Sequence, residues 1–282
     1  MNYATPAAFR MALEARLASA SRNTGVDLNR LRRRAVFERM LVRLDATQHG
    51  GWVLKGGMAL EVRWRDRARA TRDLDLAVRD HAPDHGTLRA LLVEPLERDP
   101  HGDWFHFAVG QGRELTTDAA GRQGWRFPVE ARLAGRVFAQ VSVDAVARPE
   151  EIGGTERIAL PGLLSFAGLP GSSVEVVDRD QHFAEKLHAL TRTYGDQSNT
   201  RTRDLVDLVM LVEDGLRPTR ELLARVSHVF AVREGSEPPI DLPDPPQQWV
   251  MTYSTLAGGM DMEARTLDRA MDDLRAFWAR VR

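Results

Sequence analysis

The chain contains no cysteine among its 282 residues. This absence excludes disulfide bonds, thiolate zinc sites and a cysteine nucleophile, and it is typical of proteins in a reducing cytoplasm. No apolar run approaches the roughly 20 residues that a membrane-spanning helix requires. The first residues also lack the basic and then apolar pattern of a secretory signal. We therefore expect a cytoplasmic protein with no membrane partner.

An excess of positive charge is also missing. Lysine and arginine together number 39 against 40 acidic residues, so the net charge is −1 and a globally basic nucleic-acid binder is excluded. The arginines are nevertheless clustered, in one group at Arg30, Arg32, Arg33 and Arg34 and in a second at Arg63, Arg65, Arg67, Arg69 and Arg72. Either cluster is consistent with a solvated surface. The second leads directly into an acidic segment, however, and there attraction of phosphates is the stronger interpretation.

Hydrophobic periodicity divides the chain into two halves. Helical patterns cover about 5–21, 27–44 and 84–96, and strand patterns cover 104–109, 125–131 and 137–144. Pro128 predicts an edge position or a bulge for its strand. After a Pro-, Gly- and Ser-rich passage over 160–173, helical patterns cover 180–194, 202–215, 219–231, 246–258 and 262–281. We expect an α/β domain with N-terminal helices over 1–160 and a helical domain over 174–282.

The most informative segment contains two carboxylates separated by one residue. Asp73-Leu74-Asp75-Leu76 reads as a strand, so Asp73 and Asp75 share one face, about 7 Å apart, while the leucines enter the core. Such a pair can bind Mg²⁺ or Mn²⁺ from one side, and substrate phosphates can complete the metal's coordination shell. Upstream, Gly56 and Gly57 lack Cβ atoms where the backbone would pass close to a phosphate. The pattern predicts a phosphoryl- or nucleotidyl-transfer site.

A third carboxylate lies at the end of the 137–144 strand. Asp144 alternates with Val141 and Val143 and therefore falls on the face opposite to them. Nucleotidyl transfer with two metal ions uses such a third carboxylate on a neighbouring strand. We expect Asp144 to be a metal ligand beside Asp73 and Asp75, although a strand-end aspartate facing water has the same pattern.

Two segments of the helical half carry further charged residues. Glu185-Lys186-Leu187-His188 lies in one predicted helix, and Arg203-Asp204-Leu205-Val206-Asp207 begins the next. Considered alone, Lys186 is an ordinary surface lysine and Arg203 and Asp207 form an i, i+4 pair. The family resemblance described next instead implies a functional Lys186, which we expect on the β- and γ-phosphates, where its ammonium would offset the charge that grows on the leaving pyrophosphate.

These motifs in combination resemble the AbiEii family. Lys55-Gly56-Gly57-Met58-Ala59-Leu60, Thr71-Arg72-Asp73-Leu74-Asp75-Leu76, Glu185-Lys186-Leu187-His188 and Arg203-Asp204-Leu205-Val206-Asp207 carry the resemblance. The family consists of nucleotidyltransferase-like toxins of type IV toxin–antitoxin and abortive-infection systems, and it includes the mycobacterial MenT toxins. The resemblance covers about 50–260. It implies an α+β fold, with a polymerase-β-like nucleotidyltransferase core, a mixed sheet and a C-terminal helical domain.

The resemblance also implies roles for individual residues. Thr71 and Asp73 match the family's hydroxyl–x–Asp pair, Asp75 its second metal carboxylate and Lys186 its essential lysine. Asp204 and Asp207 match the acidic residues of the following helix, and we group them with Asp73 and Lys186 as catalytic. We expect the nucleotide to be bound by Lys55, Gly56, Gly57, Thr71 and Arg72. The Gly-Gly pair lies sixteen residues before Asp73, unlike the nearer Gly-Ser of wider polymerase-β relatives, so phosphate contacts there would come from backbone N–H groups.

Three classes of function remain open at this stage. The resemblance implies transfer of a nucleotide from an NTP to RNA, with some members modifying tRNA 3′ ends, and a separately encoded antitoxin as partner. A transferase that adds AMP to protein would use the same residues. A third class is an NTP- or RNA-binding module without catalysis. Joint retention of Asp73, Asp75 and Lys186 argues against this third class.

Overall fold

The computed structural model describes residues 1–47, 51–79, 84–115, 124–147, 149–192 and 201–282. The helices in these ranges are α1 (Pro6–Thr24), α2 (Leu28–Asp45), α3 (Gly56–Trp64), α4 (His85–Glu97), α5 (Arg179–Thr191), α6 (Thr202–Glu213), α7 (Arg220–Glu234), α8 (Trp249–Gly258) and α9 (Leu267–Val281). The strands are β1 (Trp52–Lys55), β2 (Asp73–Val78), β3 (Phe105–Val109), β4 (Arg113–Glu114), β5 (Trp125–Leu133), β6 (Arg136–Ala147), β7 (Thr155–Ala159) and β8 (Ser173–Val177).

Side-chain caps fix several helix starts. Thr5 accepts a hydrogen bond from the N–H of Ala8 at the start of α1, Asp27 caps α2 and Asp178 caps α5. The predicted helix over 180–194 corresponds to α5, and residues 193 and 194 lie outside the described residues. The other predicted helices are present, with ends shifted by a few residues.

The strands form one mixed sheet. Its order is β3-β5-β6-β2-β1-β8-β7, and β4 pairs with β5 beyond the end of β3. β2 runs parallel to β6 and antiparallel to β1, and β1 runs parallel to β8. The α+β class with a mixed sheet is therefore confirmed.

Two features of the sheet differ from the sequence-based expectation. β7 and β8 flank the passage taken as a boundary, and β8 pairs with β1, so the sheet continues to Val177. Pro128 lies inside β5 with β6 on one side, while on its other side β3 pairs only as far as Val129 and β4 begins opposite Arg126. Because Pro128 faces the gap between β3 and β4, its missing N–H costs no bond to either strand.

The buried side chains form two clusters. The larger cluster packs α1, α2 and α4 against the sheet. The smaller cluster is built from α5 to α9, but it also contains Leu60, Trp64 and Ala68 from α3 and the segment after it. The indole N–H of Trp64 donates to Asp214 at 2.9 Å. The helical half is thus packed directly against the segment that joins the Gly-Gly turn to β2.

Within the described residues, no helix combines the length and apolar character needed to cross a bilayer.

Candidate active site

The two central strands bring the predicted carboxylates together. In the parallel register of β2 and β6, Asp75 lies opposite Asp144 and Asp73 lies opposite Ser142. Leu74 and Leu76 are buried on the other face. The predicted common face of Asp73, Asp75 and Asp144 is therefore what the structure has.

Asp75 occupies the most constrained position of the three. Desolvation, followed by the nearby Asp144 carboxylate, raises the pKa of Asp75 to about 6, although the ammonium groups of Lys186 and Lys55 oppose this. Gly56 has φ +61°, and a Cβ built there would lie 1.9 Å from the Asp75 Oδ2. The absent side chain of Gly56 thus leaves the space that the Asp75 carboxylate fills.

A basic residue that the sequence analysis did not assign to the site lies between the carboxylates. Arg126 on β5 donates from Nε and Nη2 to the two Asp144 oxygens, each at 2.6 Å, and from Nη2 to Asp73 at 3.2 Å. The alternation of β5 could have indicated this position. Arg126 lies between the buried Trp125 and Phe127, so its side chain is on the opposite face, which is the face of Asp144.

The carboxylates of β2 suit a divalent cation. Asp73 and Asp75 offer hard oxygen donors on one face, and the pKa of Asp75 is raised first by desolvation and then by the Asp144 carboxylate, both of which a bound cation would offset. Both oxygens of Asp144 accept hydrogen bonds from Arg126, and the described residues contain no ready-made group of three metal-binding side chains. The residues fit a cation held by Asp73 and Asp75 with substrate oxygens completing its shell. Asp144 as a third ligand stays a prediction.

The Gly-Gly turn leads into a helix whose first turn opens on the same face. Lys55 precedes α3 with extended backbone and no side-chain cap, so the first N–H groups of α3 carry no capping side chain. A Cβ on Gly57 would lie 2.9 Å from the Thr71 Oγ1, which itself donates to the Asp73 carbonyl. Gly57 and Thr71 therefore pack in direct contact beside the carboxylates.

The helical half supplies Lys186 from α5. Its Nζ donates to Asp204 at 2.7 Å and lies 2.9 Å from Asp207, both on α6. Although desolvation opposes it, these two carboxylates raise the pKa of Lys186, so the ammonium stays charged. Asp207 also accepts two hydrogen bonds from Arg69, at 2.8 and 2.7 Å. The four side chains form one alternating cluster, in which Asp207 pairs with Arg69 and Lys186.

A second ion-pair chain lies beside the first. Lys55 Nζ donates to Glu185 at 3.0 Å, Gln181 donates to the same carboxylate, and Arg233 lies 3.7 Å from it. Despite desolvation, Lys55 and Arg233 lower the pKa of Glu185 to about 2. This chain ties the end of β1 to α5 and α7. Lys55 and Lys186 are the only two lysines in the sequence, and both belong to this site.

Nine of the eleven predicted site residues line one cleft of about 460 Å³ between the sheet and the helices. Its walls include the predicted residues Lys55, Gly56, Gly57, Thr71, Arg72, Asp73, Asp75, Lys186 and Asp204. Asp144 and Asp207 pair with residues of the site, Asp144 with Arg126 and Asp207 with Lys186. Arg69, Glu185, Arg201, Arg203 and Arg233 also line the cleft. The lining thus carries seven basic and four acidic side chains, and this surplus of cations suits a polyphosphate with a metal ion.

Most arginines of the two clusters have partners. The pairs are Arg30 with Glu61, Arg32 with Glu14, Arg34 with Glu61 and Asp66, Arg63 with Glu156, Arg67 with Asp214, and Arg69 with Asp207. Arg65 donates to the Ala159 carbonyl. Among the described residues, no carboxylate lies within ion-pair distance of Arg33 or Arg72, so only these two of the nine have no such partner and donate to no carbonyl.

Among known proteins, one family matches most of the chain, and several solved structures show limited similarity to it. Residues 39–279 match the family described as "Nucleotidyl transferase AbiEii toxin, Type IV TA system". Among solved structures, JHP933 from Helicobacter pylori is similar, with 13% identity, 91% of this chain and 93% of that chain covered, and a TM-score of 0.44. An antigenic nucleotidyltransferase-like protein from Paracoccidioides brasiliensis has 15% identity, 72% and 88% coverage, and a TM-score of 0.40. A search of curated proteins found no match.

Proposed function

The chain belongs to the AbiEii family of nucleotidyl transferase toxins of type IV toxin–antitoxin systems, and we propose that it transfers a nucleoside monophosphate from an NTP to an RNA acceptor. The observation that carries the proposal is the cleft in which Asp73 and Asp75 lie on one wall and Lys186 on the other. Membership of the family implies an antitoxin partner.

Different residues of the cleft would bind different parts of the triphosphate. Asp73 and Asp75 would hold Mg²⁺ or Mn²⁺, which would offset the negative charge of the phosphate oxygens and make the reacting phosphorus more open to attack. Lys186, kept charged by Asp204 and Asp207, would bind the β- and γ-phosphates. The N–H groups of Gly57 and the first turn of α3, together with Lys55, Thr71 and Arg72, would bind the remaining phosphate oxygens.

The reaction is a displacement at the α-phosphorus. The acceptor hydroxyl oxygen forms a bond to this phosphorus, the bond from phosphorus to the pyrophosphate oxygen breaks, and the hydroxyl proton is released to water. Lys186 stabilises the charge that develops on the pyrophosphate, as a fixed cation that requires little reorganisation during the reaction. We take the acceptor to be the 3′ end of tRNA, modified in the cytoplasm, in line with the family resemblance.

The test combines four variants with labelled substrates. The purified chain is incubated with Mg²⁺, each α-labelled NTP, total RNA and lysate protein. Asp73→Ala should abolish labelling of RNA while circular dichroism stays unchanged. Lys186→Met should lower the rate by roughly 10²–10³-fold, as expected for loss of one electrostatic stabiliser. Glu94→Gln and Arg32→Gln, which alter ion pairs outside the cleft, serve as matched controls.

Three results would contradict parts of this proposal. Normal transfer by a folded Asp73→Ala variant would contradict the assignment of Asp73 as a metal ligand. Label on protein and not on RNA would indicate an enzyme that adds AMP to protein. Binding of NTP without any transfer would leave a binding module. Sequencing of tRNA 3′ ends after expression in bacteria, against the Asp73→Ala control, then tests the tRNA acceptor.

A further inference from the structure

A second groove, of about 580 Å³, meets the cleft at Asp73. Arg72 and Asp73 line both cavities. The rest of the groove is formed mainly by β5 and β6, with Arg33 reaching in from α2, and its lining includes Pro128, Gln140 and Ser142. Anything bound in this groove would end beside the carboxylate that faces the cleft.

The groove exists because β2 is shorter than its neighbour. β2 begins at Asp73 opposite Ser142, whereas β6 begins at Arg136, so residues 136–141 extend past the start of β2. In the described residues no strand pairs with this stretch on the β2 side. Successive side chains of β6 point to opposite faces of the sheet, so Gln140 and Ser142 lie on the same face as Asp144. The result is an elongated depression that leads to the site.

Arg33 and Arg72, which have no carboxylate within ion-pair distance among the described residues, supply the positive charge of the groove, while Asp73 in its lining is paired with Arg126. Arg33 and Arg72 both line it, whereas the other seven arginines of the two clusters are engaged elsewhere. The Nε of Arg33 is buried and has no hydrogen-bond partner among the described residues. The side chain itself lines the groove, where its outer guanidinium N–H groups can bind an anionic oxygen. Glu130, the other acidic residue of the lining, already accepts from Arg132 and Gln140.

We infer that this groove binds the phosphate backbone of the single-stranded 3′ end of an RNA acceptor, with the terminal hydroxyl directed to Asp73. Arg33 and Arg72 are the phosphate contacts. Guanidinium groups bind phosphates in a bidentate manner, and single-stranded ends fit an open groove that a duplex would not enter. The inference rests on the proposed nucleotidyl transfer, because it assigns the acceptor side of that reaction.

The two arginines differ in a way that makes the inference testable. Arg33 lines the groove but not the cleft, whereas Arg72 lines both. Loss of Arg33 should therefore weaken RNA binding and change NTP affinity by less than about twofold. Loss of Arg72 should weaken the binding of both. Arg32, one residue earlier on α2 and paired with Glu14, provides the matched control.

The experiment measures binding of a fluorescein-labelled RNA stem–loop with an unpaired 3′ end, by anisotropy, at several salt concentrations and without NTP. For Arg33→Gln we expect roughly five- to tenfold weaker binding and a slope of log K against log salt that is smaller by about 0.7, the value for one phosphate contact on a single strand. Arg33→Lys should recover part of the loss. Arg32→Gln should match the wild type. NTP binding is measured separately by calorimetry.

Equal RNA affinity and equal salt slope in Arg33→Gln and wild type would overturn the inference. So would a wild-type chain that ignores the RNA and labels a protein acceptor. Failure of the proposed function would give a different result. The wild type would bind the RNA through Arg33 but attach no label to it. The groove assignment would then hold, and the transfer reaction would be contradicted.

Discussion

Gly56 illustrates how a single missing side chain shapes this site. Its φ of +61° is strained for any residue with a Cβ, and the added methyl of Gly56→Ala would overlap the Asp75 carboxylate. We expect Gly56→Ala to lower transfer about 100-fold, since displacement of a metal-binding group by about 1 Å is enough for such a loss. Measured kcat on protein of verified fold tests this.

Gly25 provides the control for this substitution. It has φ +74°, and an added Cβ would meet nothing within 4 Å. Gly25→Ala should therefore cost about 1 kcal/mol of stability from backbone strain alone and leave the rate of transfer unchanged. Equal rate losses in the two variants would mean that strain, and not contact with Asp75, limits position 56.

Sequence reasoning at the residue scale found the carboxylates, the lysine and the Gly-Gly turn, because each has a local pattern. It missed Arg126, whose role depends on strand register, and it counted Arg69 among the arginines that attract phosphates, although Arg69 donates to Asp207. Ion-pair partners far apart in the sequence cannot be read from spacing. Only the fold shows which arginines are already paired.

At the scale of elements, the helices were predictable from periodicity and caps, and the short strands were not. β7 and β8 are five residues each, and they lie beside the Gly- and Pro-rich passage that suggested a linker. Their place in the sheet depends on pairing with β1, which is long-range information. Pro128 was expected at an edge or a bulge. Because β3 ends opposite Val129, no strand of the described residues pairs with Pro128 on that side, and its missing N–H costs no ladder bond inside the sheet.

The ion pair of Glu185 with Lys55 ties α5 to the end of β1, and it predicts a pH-dependent stability. Lys55 and Arg233 lower the pKa of Glu185 to about 2 from an ordinary value of 4.5. A depressed carboxyl pKa stabilises the fold above the unfolded pKa, and this contribution is lost as pH falls from 4.5 towards 2. Glu185→Gln should thus destabilise the protein by roughly 1.5–3 kcal/mol at pH 7, and the difference should shrink at pH 3.

Urea unfolding at pH 7, 5 and 3 measures this difference directly. The control is Glu94→Gln on α4, whose ion pair with Arg98 is exposed and should contribute less than about 1 kcal/mol at any pH. If the loss in Glu185→Gln is the same at all three pH values, it arises from packing and not from the charge.

At the scale of the whole molecule, the site depends on contact between two hydrophobic clusters. Leu60, Trp64 and Ala68 belong to the cluster of the helical half, although they lie in the segment that joins the Gly-Gly turn to the acidic strand. The helices therefore pack on the same segment that begins with the Gly-Gly turn. The division into domains at 160–174 stays a prediction, and the boundary of the sheet at Val177 lies beyond it.

The composition of the whole chain allows one last test of the site. Because Lys55 and Lys186 are the only lysines, reductive methylation followed by mass spectrometry reports on the cleft and the N-terminal amine alone. The reagent modifies the neutral amine. Asp204 and Asp207 raise the pKa of Lys186, so Lys186 should react more slowly than the N-terminal amine at pH 8. Asp207→Asn should accelerate its modification, since removal of one carboxylate lowers that pKa.

An NTP with Mg²⁺ should protect both lysines from methylation, because the triphosphate would lie between them and the reagent. The N-terminal amine should react at the same rate with and without nucleotide, and it serves as the internal control. Inorganic sulfate at the same ionic strength controls for screening of the ion pairs. Protection of Lys55 without protection of Lys186 would place the triphosphate against β1 and α3 alone, and it would remove Lys186 from the reaction.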